Sequence, residues 1–148
     1  MSEEKVREIA KLFFEFSPLY QKKIISFFSK CGDKTYKCNS SQVKAIMIIG
    51  GKESIIPTKL GQCLGLQKGS LTTLLDSLEN MNLIKRSSHP EDRRKTLISL
   101  TEEGNNLRNL KLEEFQNNIS KLFSKFPEEK LDEFLPSFKN VLDTVKEL

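Results

Sequence analysis

Residues 55–101 read IIPTKLGQCLGLQKGSLTTLLDSLENMNLIKRSSHPEDRRKTLISLT, and the fold turns on how this stretch is divided. Pro57 suits the first position of a helix, where its missing N–H costs no hydrogen bond, and Gly65 suits the left-handed conformation that closes one. A second helix from about Lys68 to Met81 sets Leu71, Leu74, Leu75 and Leu78 three and four apart. That spacing makes one apolar face and leaves Ser70, Thr72, Thr73, Asp76 and Ser77 on other faces. After Asn82 the period changes to that of strands, at Leu83 to Ser87 and Thr96 to Leu100, around the polar segment SSHPEDRRK.

Two short helices, a turn and a hairpin with a basic tip make a winged helix-turn-helix. The apolar side of the second helix packs on the first, which frees its polar side to enter a DNA groove. In order, the runs LGQCLGLQKGSLTTLLDSLENMNLIKR, HPEDRRK and LISLTEEG resemble the MarR family of bacterial transcription regulators. The resemblance is carried by about a third of the chain, and the flanking helices fit the family's layout. It implies a fold that is mainly α with a small antiparallel β-wing. Residues 1–148 then form a single domain, with 40–100 as the winged helix-turn-helix and 1–30 and 101–148 as the helical dimerisation region.

The flanks supply long amphipathic patterns. From Glu3 to about Lys30 the residues Val6, Ile9, Phe13, Phe16, Tyr20, Ile24 and Phe27 recur every three or four positions, and Pro18 predicts a kink or break near Ser17. The segment CGDKTYKC reads as a loop. Ser40 or Ser41 can cap a helix through Val43, Ile46, Met47 and Ile49, stopped by Gly50 and Gly51. Ile55 and Ile56 leave room for a short third strand.

Thr101 fits the cap of the next helix, with Glu102 and Glu103 where the helix dipole favours negative charge. Leu112, Phe115, Ile119, Leu122 and Phe126 continue it as a heptad seam. Pro127 ends that helix and opens a last one, striped by Leu131, Leu135, Phe138, Leu142 and Val145, with Pro136 as a second kink point. All 10 phenylalanines lie outside residues 40–100, more rings than one small helical layer needs, so a second copy of the chain is the expected partner for some of them.

The length of 148 residues suits one core, and no apolar run is long enough to span a membrane. The start MSEEKVREIAKLFFEF lacks the pattern of a secretory signal, so the expected location is cytoplasmic. Residues 1–39 carry eight basic and five acidic side chains, residues 40–100 nine and five, and residues 101–148 seven and ten, giving +3, +4 and −3. The positive middle is where a polyanion such as double-stranded DNA should bind.

Cys31, Cys38 and Cys63 match no CxxC spacing and have only His89 as an imidazole partner, which argues against a metal site. No serine, cysteine or carboxylate pair has a partner at catalytic spacing, so the chain reads as a non-enzyme with no cofactor. Two other readings stay open at this point: a winged helix that binds another protein, and a redox-responsive regulator using cysteine.

On the second helix, Gln67, Lys68, Ser70, Thr72 and Thr73 are the candidate DNA contacts. The family resemblance implies that Arg94 on the wing reaches into the minor groove while Asp92 steadies it, with Arg93 and Lys95 as phosphate partners. This sequence departs from the family's habit at Gln67, where a serine-like cap is usual, and at Thr73, where arginine is common. A helix without arginine has no bidentate guanidinium with which to read guanine, so an operator rich in G is not expected.

The resemblance further implies a homodimeric repressor of a pseudo-palindromic operator. Its release would come from a small aromatic or phenolic effector bound between the dimer helices and the winged part. Phe13, Phe16, Tyr20 and Met47 are candidate walls of such a pocket, although each of them also fits ordinary core packing.

Overall fold

The structure is a computed structural model, and it describes residues 2–26 and 33–148. The sequence expectations at Phe27, Phe28 and Cys31 lie outside the described residues. Two compact units are present, Met1–Glu113 and Glu114–Leu148.

The first unit opens with α1, Glu3–Tyr20. Of the kink or break expected near Ser17, the break does not occur. The helix runs past Pro18, and the amide N–H of Gln21 bonds to the carbonyls of Ser17 and Pro18. The irregularity follows one turn later as a π-type turn over Gln21–Ile25. Such a widened turn is one of the ways a helix absorbs a local disturbance of its hydrogen-bond ladder. No residue of α1 is buried.

The loop expected before the next helix contains a small strap. Asp33 and Cys38 exchange backbone hydrogen bonds of 2.9 and 3.0 Å. Lys37 turns the chain with φ +54°. The helix α2, Ser40–Gly50, is capped by Asn39 rather than by Ser40 or Ser41. Asn39 accepts from the Gln42 amide at 3.0 Å while the Gln42 side chain accepts from the Asn39 amide at 2.8 Å. This reciprocal pair satisfies two donors at once, which neither serine achieves.

Pro57–Leu64 forms α3, with proline in its first turn, and Gly65 closes it at φ +65°. Lys68–Asn80 forms α4, and Asn82 turns the chain out of it at φ +57°. Ile84–Ser88 (β1) and Thr96–Leu100 (β2) pair antiparallel from Ile84↔Leu100 to Ser88↔Thr96. The third strand is reduced to one bridge, in which Ile55 and Ile98 exchange two bonds of 2.9 Å.

The core sits between these elements. Val43, Ala45, Ile46 and Ile49 of α2 meet Leu60 of α3, Leu71, Leu75 and Leu78 of α4, and Leu83, Ile84 and Ile98 of the wing. Leu107 closes it from α5, which spans Glu102–Phe123. Thr101 caps α5 as expected, its hydroxyl oxygen accepting from the Gly104 amide at 3.0 Å and donating to the Asn82 carbonyl at 2.6 Å. A side chain at Gly104 would begin 2.0 Å from the Leu83 carbonyl oxygen, so glycine is what lets α5 lie against the start of the wing.

In the second unit, α5 ends at Phe123 and the heptad seam stops short of Phe126, which lies in the turn before Pro127. Pro127 caps α6, Glu128–Lys146, which continues through Pro136. Phe123 packs against Phe126 and Phe134 with ring centroids 5.9 and 5.3 Å apart, and Phe134 stacks on Phe138 at 5.5 Å. Among the described residues of α6 none is buried, and Phe134, Leu135, Phe138, Val141, Leu142 and Val145 are exposed.

Candidate nucleic-acid interface

Leucines at three- and four-residue spacing decide which side of α4 faces out. With Leu71, Leu75 and Leu78 buried, Lys68, Ser70, Thr72, Thr73, Asp76 and Glu79 are exposed. Gln67 precedes the helix in extended conformation, and its side chain makes no capping bond. Ser77 does not belong to the outward set. It accepts a 2.9 Å hydrogen bond from Gln42 Nε2, which anchors α4 to α2 from behind.

The hydroxyls of Thr72 and Thr73 both turn back on the helix. They donate to the carbonyls of Lys68 at 2.9 Å and Gly69 at 3.1 Å. A groove of about 710 Å³ runs beside the helix start, bounded by Thr58 and Gln62 of α3, Gln67, Lys68 and Thr72 at α4, and Arg86 of β1.

Arg86 is a site residue that the sequence reading missed. Its guanidinium leaves the strand to bond Glu79 Oε2 at 2.6 Å and Asp76 Oδ1 at 2.7 Å, tying the wing to the outward face of α4. The available signal was the pair of carboxylates three apart on an exposed helix face, followed across a tight turn by a basic strand residue.

At the wing tip the chain folds over itself. The His89 amide donates to the Lys95 carbonyl and the Lys95 amide to the Asp92 carbonyl, both at 2.9 Å. Asp92 Oδ1 accepts from the backbone amide of Arg94 at 3.1 Å. The carboxylate therefore shapes the turn that presents Arg94, and Arg93, Arg94 and Lys95 are all exposed. Three cations on a narrow hairpin and a polar helix face on the same unit are suited to a phosphate-lined duplex.

The four candidate effector residues lie on two helices, three on α1 and Met47 on α2. Phe13, Phe16 and Tyr20 are exposed on α1, with Phe16 stacked on Tyr20 at 5.5 Å, whereas Met47 packs against the core from α2. None of the four lines the groove beside α4.

Of the cysteines, Cys63 is exposed and Cys38 is buried. Burial pushes the Cys38 thiol up, the neighbouring Asp33 carboxylate adds to this, and the Lys111 ammonium opposes it. The described residues contain no cluster of side chains able to hold a metal ion.

A family model described as "MarR family" matches residues 38–96, which takes in the strap's end, α2, α3, α4, β1 and the wing tip as far as the start of β2. The HTH-type transcriptional regulator SarZ of Staphylococcus haemolyticus is 32% identical over 117 residues, covering 79% of this chain and 76% of that protein. The chain belongs to the MarR family.

An organic hydroperoxide resistance transcriptional regulator of Bacillus subtilis is 40% identical over 63 residues, and that match spans 43% of each protein. In fold, the chain is similar to the crystal structure of Streptococcus pneumoniae FabT in complex with DNA, with a TM-score of 0.64, 19% identity and 99% of both chains covered. As a MarR-family member the chain is a DNA-binding transcription regulator and not an enzyme. Among the described residues no helix is long and apolar enough to cross a membrane.

Proposed function

We propose that this regulator is a cytoplasmic homodimeric repressor that binds a pseudo-palindromic operator and is released by a small aromatic or phenolic ligand. The observation that carries the reading is the exposed apolar surface of the two terminal helices. Val6, Ile9, Leu12, Phe13 and Phe16 on α1 and Phe134, Phe138, Leu142 and Val145 on α6 are each more than 40% exposed. Rows of this size left in water mark a binding surface, and a symmetric pairing of two identical chains covers them most simply.

A dimer offers two copies of α4 to successive major grooves and two wings to the flanking minor grooves. In this reading Gln67, Lys68, Ser70, Thr72 and Thr73 meet the major groove, Arg94 enters the minor groove where A·T pairs narrow it, and Arg93 and Lys95 bind phosphates. Linking two half-sites makes the second contact effectively intramolecular, so a net charge of +4 suffices. An effector held near Phe13, Phe16, Tyr20 and Met47 releases DNA only by binding more tightly to the dimer state that fits the operator poorly.

Sedimentation at micromolar concentration, followed by footprinting on DNA upstream of the chain's own coding sequence, tests this. A dimer protecting two half-sites about one helical turn apart is the expected result. A monomer in solution and on DNA overturns it.

A further inference from the structure

We infer that Thr72 and Thr73 read their two base pairs through their methyl groups, against the C5 methyl of thymine, while their hydroxyls can serve a base only as acceptors. The inference rests on the reading of α4 as the helix that enters the major groove.

Both threonines are exposed, Thr73 on the side of α4 opposite its buried leucines and Thr72 on the flank between. A hydroxyl has one proton to donate. In Thr72 it is engaged by the Lys68 carbonyl at 2.9 Å, and in Thr73 by the Gly69 carbonyl at 3.1 Å. Each oxygen is then left with lone pairs alone. Guanine presents two acceptors, N7 and O6, to the major groove, and neither can pair with another acceptor. With each oxygen drawn back to its own helix, the γ-methyl is the group left facing out. Thymine is the base that offers a methyl in the major groove.

Nothing else near these positions restores guanine reading through a fork of donors. The helix KGSLTTLLDSLEN contains no arginine, and its single cation, Lys68, stands at its first position. Gly69 points the same way. A side chain there would meet nothing within 4 Å and its φ is not positive, so the fold does not call for glycine. Glycine is a poorer helix former than alanine, and its use here leaves bare backbone beside Thr73 for close approach to a base edge.

The full chain is used to enrich duplexes from a random-sequence library, and the best duplex is then remade with deoxyuridine replacing each thymidine in turn. Two positions per half-site should each weaken binding by roughly fourfold, the effect of one methyl group withdrawn from water. Thr72→Ser and Thr73→Ser keep the hydroxyl and lose the methyl. Each should weaken binding to the thymidine duplex by a similar factor and abolish the penalty at one uridine position. Thr72→Val and Thr73→Val keep the methyl and should keep the roughly fourfold uridine penalty at the position that the serine variant loses.

Indifference to deoxyuridine at every position would overturn the inference. So would valine variants that lose binding while serine variants keep it, because the hydroxyl would then be the reading group. If the library yields no enriched duplex, the assignment of α4 to the major groove fails and the inference fails with it. Thermal melting of each variant separates loss of reading from loss of fold.

Discussion

Asp92 holds Arg94 by its backbone: the Asp92 carboxylate accepts the Arg94 amide N–H at 3.1 Å while the arginine side chain stays exposed. An aspartate acting in this way sets the turn and needs an oxygen acceptor more than a negative charge. Arg94→Ala should therefore weaken DNA binding by about 1 to 3 kcal/mol, Asp92→Ala by less, and Asp92→Asn hardly at all, since its amide oxygen can accept the same bond. Fluorescence anisotropy on one operator duplex compares the three. Equal losses for Asp92→Asn and Arg94→Ala would show that the charge itself acts on the guanidinium.

Arg86 bridges the wing to Asp76 and Glu79 with bonds of 2.7 and 2.6 Å, and its side chain is 31% exposed. Water screens each pair, so Arg86→Ala should lower unfolding stability by only about 1 kcal/mol. The effect on DNA binding should be larger. Removing the guanidinium frees two carboxylates on the outward face of α4, where they repel phosphates and no longer fix the helix to the wing. Replacing Asp76 and Glu79 with alanine in the Arg86→Ala background should then recover part of the lost affinity. Identical affinities for the single and triple variants would remove electrostatic masking from the account.

These two clusters mark where the sequence was readable and where it was not. Pro57, Gly65 and Thr101 were legible because each acts on its own few neighbours, and all three stand where local chemistry puts them. Asn39 was passed over because several polar residues near the helix start can cap it, and the choice was made by the reciprocal bond with Gln42. Arg86 lies 7 and 10 positions from its partners, near enough for their spacing to signal it, whereas the bond from Gln42 to Ser77 joins residues 35 positions apart and follows from packing that no local pattern encodes. Exposure of Thr72 and Thr73 could be read from leucine spacing. The direction in which their hydroxyls point could not.

Lys111 and Asp33 form a buried ion pair, with Nζ 3.5 Å from Oδ1 and the side chains 5% and 9% exposed. Asp33 also receives the Tyr36 amide, and the Tyr36 hydroxyl donates to Glu103 Oε2 at 3.2 Å, so the strap is fastened to α5 at two levels. Lys111→Met leaves the Asp33 carboxylate buried without that ammonium and should cost about 3 to 5 kcal/mol in urea unfolding. Adding Asp33→Asn to Lys111→Met should restore part of the loss by removing the buried charge. A single variant as stable as the wild type would mean that water reaches the pair.

Cys38 lies in the same strap and shares these neighbours. Its thiol is pushed up by burial first and by Asp33 second, with Lys111 pulling the other way. The folded chain therefore keeps a proton that the unfolded chain releases as pH rises through the ordinary thiol range. This contribution to stability is complete below that range and is lost above it. At neutral pH the nucleophilic thiolate is scarce as well as sheltered. Iodoacetamide followed by peptide mass mapping should find Cys63 labelled and Cys38 protected until alkali or urea is added. Lys111→Met removes the opposing cation and should delay ionisation of Cys38 to still higher pH wherever the strap remains folded. Labelling of Cys38 as fast as Cys63 at neutral pH would contradict both the burial and the direction of the shift. With Cys38 protected, any peroxide effect on DNA binding that survives Cys63→Ser would have to act through Cys31, and a Cys31→Ser, Cys63→Ser variant should then be indifferent to peroxide.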